Sequence, residues 1–124
     1  MSKRMLMMSV AAGVAMYGSA AMAGDPAAGR AVFMSSCSIC HSVQAGQNKI
    51  GPSLFGVVGR KTGSEPGYNY SPANKQANLT WDNATLDKYL TSPRAVVPGT
   101  KMTYGGLKDD TKRANLIAYL DTLK

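Results

Sequence analysis

The chain has 124 residues, with 14 basic and 7 acidic side chains for a net charge of +7, and only two cysteines and one histidine. This length allows one small domain, and two cysteines cannot supply the several disulfides that usually stabilise small secreted domains. The basic residues do not cluster with interleaved aromatic residues, so the composition argues against nucleic acid as a partner.

The N-terminal segment has the composition of a secretory signal peptide. Basic residues precede an apolar run with many small residues, and the run ends in Ala-Met-Ala at residues 21–23. Cleavage is expected before Gly24, although an uncleaved membrane anchor is an alternative because the run is almost long enough to span a bilayer. We therefore predict a signal peptide over residues 1–23 and one domain over residues 24–124. That domain has 12 basic and 7 acidic residues, a net charge of +5.

The first predicted helix runs from Pro26 to Ser36. Asp25 is a residue type that caps helix N-termini, and Pro26 suits the first helical position. Gly29 and Phe33 are four residues apart and therefore lie on one face of this helix. A second element could pack closely over Gly29 while Phe33 covers the side of the contact.

The motif CSICH, residues 37–41, contains both cysteines and the single histidine. A thioredoxin-like dithiol would need a strand before Cys37, which the sequence does not indicate, and a structural zinc site would need a fourth ligand. A disulfide with an unused histidine is a further alternative. The spacing Cys-x-x-Cys-His is the signature of covalent haem attachment, which is the interpretation that the motif favours.

The spacing has a chemical reason. Two thiols separated by two residues can each add to a different vinyl group of one porphyrin, so Cys37 and Cys40 are the predicted attachment points. His41 follows the second thiol directly and is thereby carried to the iron as the predicted proximal ligand. A buried haem would also fill the interior of a domain that is too small to stabilise itself well.

Residues 45–77 are rich in glycine, proline, asparagine and serine. We expect loops there, with at most short helical turns wrapped around a ligand.

A second helix is predicted from Ala84 to Thr91, capped by Asp82 or Asn83 and ended by Pro93.

The last helix is predicted from Thr111 to Leu123, behind Asp109 and Asp110, and its leucines form an apolar stripe.

The second axial ligand can be narrowed by elimination. Only Met34 and Met102 remain after the signal peptide, and Met34 is too close to Cys37 to reach the opposite face of the haem. Met102 lies in the irregular stretch PGTKMTYGG, which suits approach to a flat ring. A thioether opposite an imidazole leaves no open coordination position, so the predicted role is electron transfer and not catalysis. The alternatives are a haem peroxidase or gas-binding protein with Met102 unbound, and a haem-free thiol protein.

Seven motifs in one order extend the pattern over nearly all of residues 24–124. They are GDPAAGRAVF, CSICH, GPSLFGVVGRKTG, YNYSPANK, LTWDNATLDKYL, PGTKMTYGG and LIAYL. With them, the sequence resembles the class I cytochrome c family, specifically the mitochondrial and short bacterial periplasmic type. The resemblance implies an all-α fold, with three main helices plus short helical turns and loops around one haem c.

The resemblance also implies roles for individual residues. Pro52 should offer its carbonyl to the far nitrogen of His41 and so fix the imidazole tautomer. The first and last helices should cross where Gly29 and Phe33 meet Leu116 and Tyr119. Residues that match positions binding the haem propionates are Arg60, Tyr70 and Trp81, and those matching a polar network near the methionine are Asn74, Tyr89 and Thr100.

The implied partners are acidic docking surfaces of membrane redox complexes. The donor would be a cytochrome bc-type complex, and the acceptor a terminal oxidase or photosynthetic reaction centre, for a monomeric carrier exported to the periplasm. Docking through basic residues should weaken with salt. Tyr104 stands where phenylalanine is common in the family, and Ala31, Ser36 and Asp109 also depart from the vertebrate-like charge pattern. The basic residues that match the ring around the haem edge are Lys49, Arg94, Lys101 and Lys108.

Overall fold

A computed structural model describes residues 24–124, and the predicted signal peptide lies outside these residues. The described part is helical, and its only strand-like pairing is one isolated bridge between Lys61 and Thr80. The predicted all-α fold is confirmed. No helix within residues 24–124 is long and apolar enough to cross a membrane. In chain order the helices are α1 (Pro26–Ser36), α2 (Pro72–Gln76), α3 (Asn83–Thr91), α4 (Pro93–Val96) and α5 (Asp110–Asp121).

Aspartates begin the three longest helices. Asp25 accepts a hydrogen bond from the Ala27 N–H at 3.0 Å, Asp82 from Thr85 at 2.7 Å, and Asp109 from Lys112 at 2.9 Å. These carboxylates satisfy amide groups that have no partner within the helix. The predicted bounds of α1 are confirmed, and Asp82 rather than Asn83 is the cap of α3.

Helix α5 begins one residue earlier and ends two residues earlier than predicted. It begins earlier because Asp109 alone is the cap, which leaves Asp110 as the first helical residue. At the other end, the amides of Thr122 and Leu123 bond to carbonyls three residues back, at 3.0 and 3.1 Å. This tighter turn ends the α-helical pattern before Leu123.

Helices α1 and α5 cross at Gly29, as predicted. A Cβ at Gly29 would overlap the Asn115 carbonyl of α5, so only glycine allows this approach. Beside it, the rings of Phe33 and Tyr119 pack with centroids 5.7 Å apart, and Leu116 is buried in the same core. The crossing closes one side of the domain.

Helix α4 was not predicted from the sequence. In the sequence Pro93 indicates the end of α3, but in the structure it is also the first residue of α4. Proline has a backbone angle suited to the first turn of a helix and lacks the N–H that would remain unbonded there. One extended residue, Ser92, therefore separates two helices.

The segment between α1 and α3 consists of loops and the short α2, as predicted. Its path is fixed by backbone hydrogen bonds that join two distant stretches: Trp81 donates to the Arg60 carbonyl at 2.8 Å, and Gly59 donates to the Trp81 carbonyl at 2.8 Å. These bonds hold Arg60 and Trp81 beside each other. The hydrophobic core combines residues of α1, α3 and α5 with Val57 and Trp81 of this loop segment, and residues of both the helices and the loops line a cavity.

Candidate haem-binding site

A cavity of about 520 Å³ occupies the centre of the domain, and we call it the central cavity. This volume lies within the range of about 300–1,000 Å³ that is common for sites of organic ligands. Core leucines of α3 and α5 form part of its wall. All eleven residues predicted from the sequence to bind the haem or its iron line it: Cys37, Cys40, His41, Pro52, Arg60, Tyr70, Asn74, Trp81, Tyr89, Thr100 and Met102.

The CSICH motif forms a tight turn at the end of α1. The amides of Cys40 and His41 both donate to the Cys37 carbonyl, at 3.1 and 2.9 Å, so the two thiols and the imidazole reach one wall of the cavity. No disulfide joins Cys37 and Cys40. Burial, together with the neighbouring Cys40, raises the pKa of Cys37 to about 11, so this thiol is protonated at neutral pH.

The imidazole of His41 is held in one tautomer. Its Nδ1 lies 2.8 Å from the Pro52 carbonyl oxygen, and a carbonyl can only accept, so Nδ1–H is the donor and Nε2 keeps its lone pair. This is the hydrogen bond that the resemblance implied. Burial lowers the pKa of His41, and the nearby charges of Arg60 and Lys49 lower it further. The ring is therefore neutral, which is the form that binds a metal.

Gly51 is a site residue that the sequence reasoning missed. A Cβ at this position would overlap the His41 ring, so only glycine lets the backbone pass behind the imidazole. The available signal was the Gly-Pro pair at residues 51–52, since Pro52 supplies the carbonyl that binds the same ring.

The Met102 sulfur is held within the cavity wall by polar neighbours. The hydroxyl of Tyr89 on α3 donates to Met102 Sδ at 3.3 Å, and the Met102 amide donates to Thr100 Oγ1 at 3.3 Å. Burial raises the pKa of Tyr89, so its hydroxyl keeps its proton and acts as the donor. The thioether therefore has a defined position and is not only filling space.

The segment that carries Met102 is also fixed after the methionine. Gly106 has a φ of +110°, and a Cβ there would overlap the Thr91 carbonyl at the end of α3. The next amide, of Leu107, donates to the Leu90 carbonyl at 2.7 Å. Backbone contact with α3 thus limits how far Met102 can move.

Arg60 of the cavity lining forms an ion pair that was not predicted, with Glu65, which lies outside the lining. Arg60 Nη1 lies 2.8 Å from Glu65 Oε2 and 3.0 Å from the Ser53 carbonyl oxygen. The Glu65 amide in turn donates to the Tyr70 hydroxyl at 3.0 Å, which ties two predicted site residues to Glu65. Burial raises the pKa of Tyr70, so this hydroxyl is neutral.

Two buried polar atoms in the cavity lining have no protein partner. They are Nε of Arg60, a donor, and Oδ1 of Asn74, an acceptor. Buried polar atoms are costly when they are left without a partner, so a ligand with its own polar groups is expected here. A haem fits this set of residues: its propionates suit the arginine donor, its ring suits the apolar wall, and its vinyl groups suit the two thiols.

The family model for cytochrome c matches residues 26–124. The chain belongs to the cytochrome c family. Among its relatives, cytochrome c2 of Rhodopila globiformis is 54% identical over 101 residues, covering 82% of this chain and 95% of that protein. Cytochrome c2 of Rhodomicrobium vannielii is 53% identical over 114 residues, covering 91% of this chain and 90% of that protein.

A solved structure, cytochrome cH from Methylobacterium extorquens, is similar with a TM-score of 0.75 and 46% identity. The match covers 80% of this chain and 99% of that one. As a member of the cytochrome c family, the protein carries one haem c, attached through Cys37 and Cys40, and is a haem-containing electron carrier.

Of the four basic residues predicted to dock partners, one lines the central cavity of this cytochrome c fold and one is bonded to the haem-attachment motif. Lys101 is part of the cavity lining. Lys49 donates from Nζ to the carbonyl of Ser38, which lies between the two cysteines, at 2.7 Å.

The other two basic residues lie elsewhere. Arg94 lines a neighbouring cleft of about 260 Å³, to which Tyr104 also belongs, and Tyr104 lines the central cavity as well. Lys108 donates to the Thr91 carbonyl at the end of α3 and lines neither space.

Proposed function

We propose that the protein is a soluble periplasmic carrier of single electrons in which His41 and Met102 bind the haem iron. One observation carries this proposal: the central cavity presents a neutral imidazole with a free Nε2 and a thioether held by a hydroxyl donor. An imidazole and a thioether are the ligand pair of electron-carrying c-type haems. The proposed mature chain begins at Gly24, after export directed by residues 1–23.

When bound, the haem supplies an iron that gains and loses one electron. The chain's contribution is to keep the surroundings of that iron the same in both states. Pro52 fixes the His41 ring, and Tyr89 and Thr100 restrain Met102, so little rearrangement is needed when the charge changes. The leucines of α3 and α5 give the cavity an apolar wall, which disfavours water beside the bound haem. With His41 and Met102 both bound to the iron, no position would be open to a substrate, and we propose that the protein is not an enzyme.

Spectroscopy of the oxidised protein tests the ligation. A thioether bound to ferric haem gives a weak far-red charge-transfer band, which we expect in the wild type and not in Met102→Ala. Met34→Ala is the control, because Met34 is exposed on α1 and lies outside the cavity. A wild-type protein that lacks the band and binds carbon monoxide readily in the ferrous state would instead be a peroxidase or gas-binding protein.

Mass spectrometry of the exported protein tests the processing. The expected mass is that of residues 24–124 plus one haem. Colour that stays with the polypeptide after acid–acetone extraction is expected for a covalent link, and colour lost to the solvent would contradict it. A mass that includes residues 1–23 would indicate that the segment is kept as an anchor.

We also propose that this carrier is a monomer that docks acidic surfaces of membrane redox complexes. The donor would be a cytochrome bc-type complex, and the acceptor a terminal oxidase or photosynthetic reaction centre. The net charge of +5 over residues 24–124 and the position of Lys101 in the cavity lining support this choice of partner. Reduction by a purified cytochrome bc1 complex should slow as ionic strength rises, whereas a rate that does not depend on salt would contradict charged docking.

A further inference from the structure

Helix α5 contains a buried arginine that is not part of the cavity lining. Arg113 is 7% exposed, although arginines are rarely buried without partners. It lines neither the central cavity nor the cleft beside Arg94. Its burial therefore comes from the packing of the chain and not from the space that the haem fills. Burying a charge is costly unless it is paired and hydrogen-bonded, so the groups that hold this arginine indicate what it does.

The guanidinium of Arg113 connects three parts of the chain. Its Nε donates to Asp87 of α3 at 2.6 Å, and its Nη2 donates to Asp110 of α5 at 2.6 Å. Its Nη1 donates to the Leu107 carbonyl at 3.0 Å. Leu107 ends the stretch 102–107, which we call the Met102 segment. Because the two carboxylates hold the planar guanidinium, its remaining donor has little freedom to leave this carbonyl.

Leu107 is the first residue after Met102 whose backbone is fixed by hydrogen bonds. Among residues 24–124, no backbone hydrogen bond involves residues 103–106. At Leu107 both backbone groups are bonded: the N–H donates to the Leu90 carbonyl at 2.7 Å, and the carbonyl accepts from Arg113. A displacement of Leu107 can therefore move the chain back to Met102, because no backbone hydrogen bond lies between them.

A lysine also joins this region to α3, but it holds less firmly. Lys108 Nζ donates to the Thr91 carbonyl at the end of α3. Lys108 is exposed, its stem is flexible, and water competes for its ammonium. Arg113 is buried and is held by two carboxylates, so its bond to the Leu107 carbonyl is shielded from water. We therefore expect the arginine to restrain the Met102 segment more than the lysine does.

We propose that Arg113 is a positioning residue for Met102. By holding the Leu107 carbonyl, it keeps the Met102 segment in the place from which the thioether binds the haem iron. This inference rests on the proposed function and adds a side chain that acts from outside the cavity, through the backbone. Tyr89 and Thr100 restrain Met102 within the cavity lining, whereas Arg113 ties the far end of the segment to α3 and α5.

Release of the Met102 segment would leave an open position on the iron. Added imidazole can bind there only in molecules whose Met102 has moved away, so its apparent Kd is the intrinsic Kd divided by the fraction of such molecules. A weaker hold on the segment increases this fraction. While the fraction is small, the apparent Kd falls by the same factor by which the fraction rises. Imidazole binding therefore measures the hold on the segment without any redox partner.

The test is a titration of the oxidised holoprotein with imidazole, followed by the loss of the far-red band. Arg113→Gln removes the charged donor to the Leu107 carbonyl, and we expect the apparent Kd to fall about tenfold. Arg113→Lys keeps the charge but lacks the planar group that reaches three partners, so its Kd should also lie below that of the wild type. Asp87→Asn leaves the arginine in place but weakens its hold from α3, with an expected fall of about threefold.

Two variants of α5 serve as controls. Asp110→Asn removes a carboxylate that also bonds Arg113, but 91% of the Asp110 side chain is exposed, so this pair should contribute little. Its imidazole Kd should stay within about twofold of the wild-type value. Asn115→Ala removes the side-chain oxygen that accepts from the Asp25 amide at 2.8 Å, where α5 meets the start of α1. It should lower the melting temperature without changing the imidazole Kd.

The melting temperature and haem content of each variant separate positioning from general stability. An unchanged imidazole Kd in Arg113→Gln and Asp87→Asn, with the far-red band present in the wild type, refutes the role of Arg113 and leaves ligation by Met102 intact. Equal falls in Kd for Arg113→Gln and Asn115→Ala, at equal melting temperatures, also refute it. A wild type without the band refutes the ligation and this inference together. Should Arg113→Gln fail to fold, Arg113→Lys and Asp87→Asn carry the test.

Discussion

Arg60 and Glu65 form an ion pair, with 2.8 Å between Nη1 and Oε2, in which 13% and 12% of the two side chains remain exposed. The arginine lines the central cavity and has one further donor, Nε, without a protein partner. Glu65 therefore places a negative charge beside the group expected to meet a haem propionate. A negative charge near the iron favours the ferric state, because that state carries one more positive charge.

Neutralising Glu65 should raise the midpoint potential of the bound haem. The change Glu65→Gln keeps the shape of the side chain and removes its negative charge. The interaction of that charge with the charge on the iron is roughly 1 kcal/mol at an effective dielectric of about 20. For a one-electron couple this corresponds to about 40 mV. Potentiometric titration measures the shift.

The control for Glu65 is Asp121→Asn, which neutralises a carboxylate on α5 that accepts a hydrogen bond from Asn83. Asp121 lies outside the cavity lining, so Asp121→Asn should change the midpoint potential of the haem by much less than Glu65→Gln. An equal shift in the two variants would mean that the effect is one of net charge and not of position.

Replacing Gly51 with alanine should destabilise the folded protein. The new Cβ would overlap the His41 ring, so the imidazole or the backbone must move away from its present place. We expect a loss of about 1–3 kcal/mol in the free energy of unfolding, together with a changed absorbance spectrum. Urea unfolding of the oxidised protein measures the loss. Gly105→Ala is the control, since a Cβ there would have no neighbour within 4 Å.

Removing the Tyr89 hydroxyl should lower the midpoint potential. The hydroxyl withdraws electron density from Met102 Sδ at 3.3 Å, so Tyr89→Phe leaves a sulfur that supports the ferric state better. A difference of about 1 kcal/mol in the strength of this hydrogen bond between the ferrous and ferric states corresponds to about 40 mV, which is the upper end of the expected shift. The far-red band should persist, because the sulfur itself is unchanged.

Tyr119→Phe serves as the control for Tyr89, because its ring packs on Phe33 at the crossing of α1 and α5 and does not line the cavity. A higher midpoint potential in Tyr89→Phe would contradict this prediction. It would show that the hydroxyl does not affect the iron through the Met102 sulfur.

Asp82 should make stability depend on acid pH. Its pKa is lowered, chiefly by the hydrogen bond that the Thr85 amide donates to it at the start of α3. Because the folded pKa lies below the ordinary value of 3.8, the stabilisation is present above that value. It is lost as the pH falls through the lower folded value.

The variant Asp82→Asn tests this pH dependence. Asparagine still caps the helix but does not titrate, so the variant should lose less stability than the wild type below about pH 4. Melting temperatures measured from neutral pH to about pH 2 provide the comparison. Parallel curves for the two proteins would contradict the assignment.

The features that were predicted well from the sequence depend on interactions between residues that are close together in the sequence. Asp25 followed by proline marks the start of α1, and CSICH encodes its own turn, because the interactions involved span only a few positions. The conformation of the loop at residues 61–64 determines whether Glu65 can contact Arg60. No local sequence pattern predicts that conformation, so the ion pair could not be predicted.

Arg113 shows the same limit of local reasoning. The sequence places this arginine among charged residues of α5, where an exposed side chain is normal. In the structure it is 7% exposed, with its guanidinium bonded to Asp87 at 2.6 Å, to Asp110 at 2.6 Å and to the Leu107 carbonyl at 3.0 Å. Two of these three partners lie outside the same helix, so only the packing of α5 against α3 and the Met102 segment reveals them.

The wall of the central cavity is made by the same leucines that form the core, including Leu86, Leu116 and Leu120. In a newly made chain that has not received its haem, the surface of these leucines that faces the cavity is not buried. Such a chain should remain loosely structured and be cleaved readily by proteases. The cellular amount of the protein should then follow the supply of haem and not only the rate of synthesis. Degradation before attachment would remove chains that cannot transfer electrons.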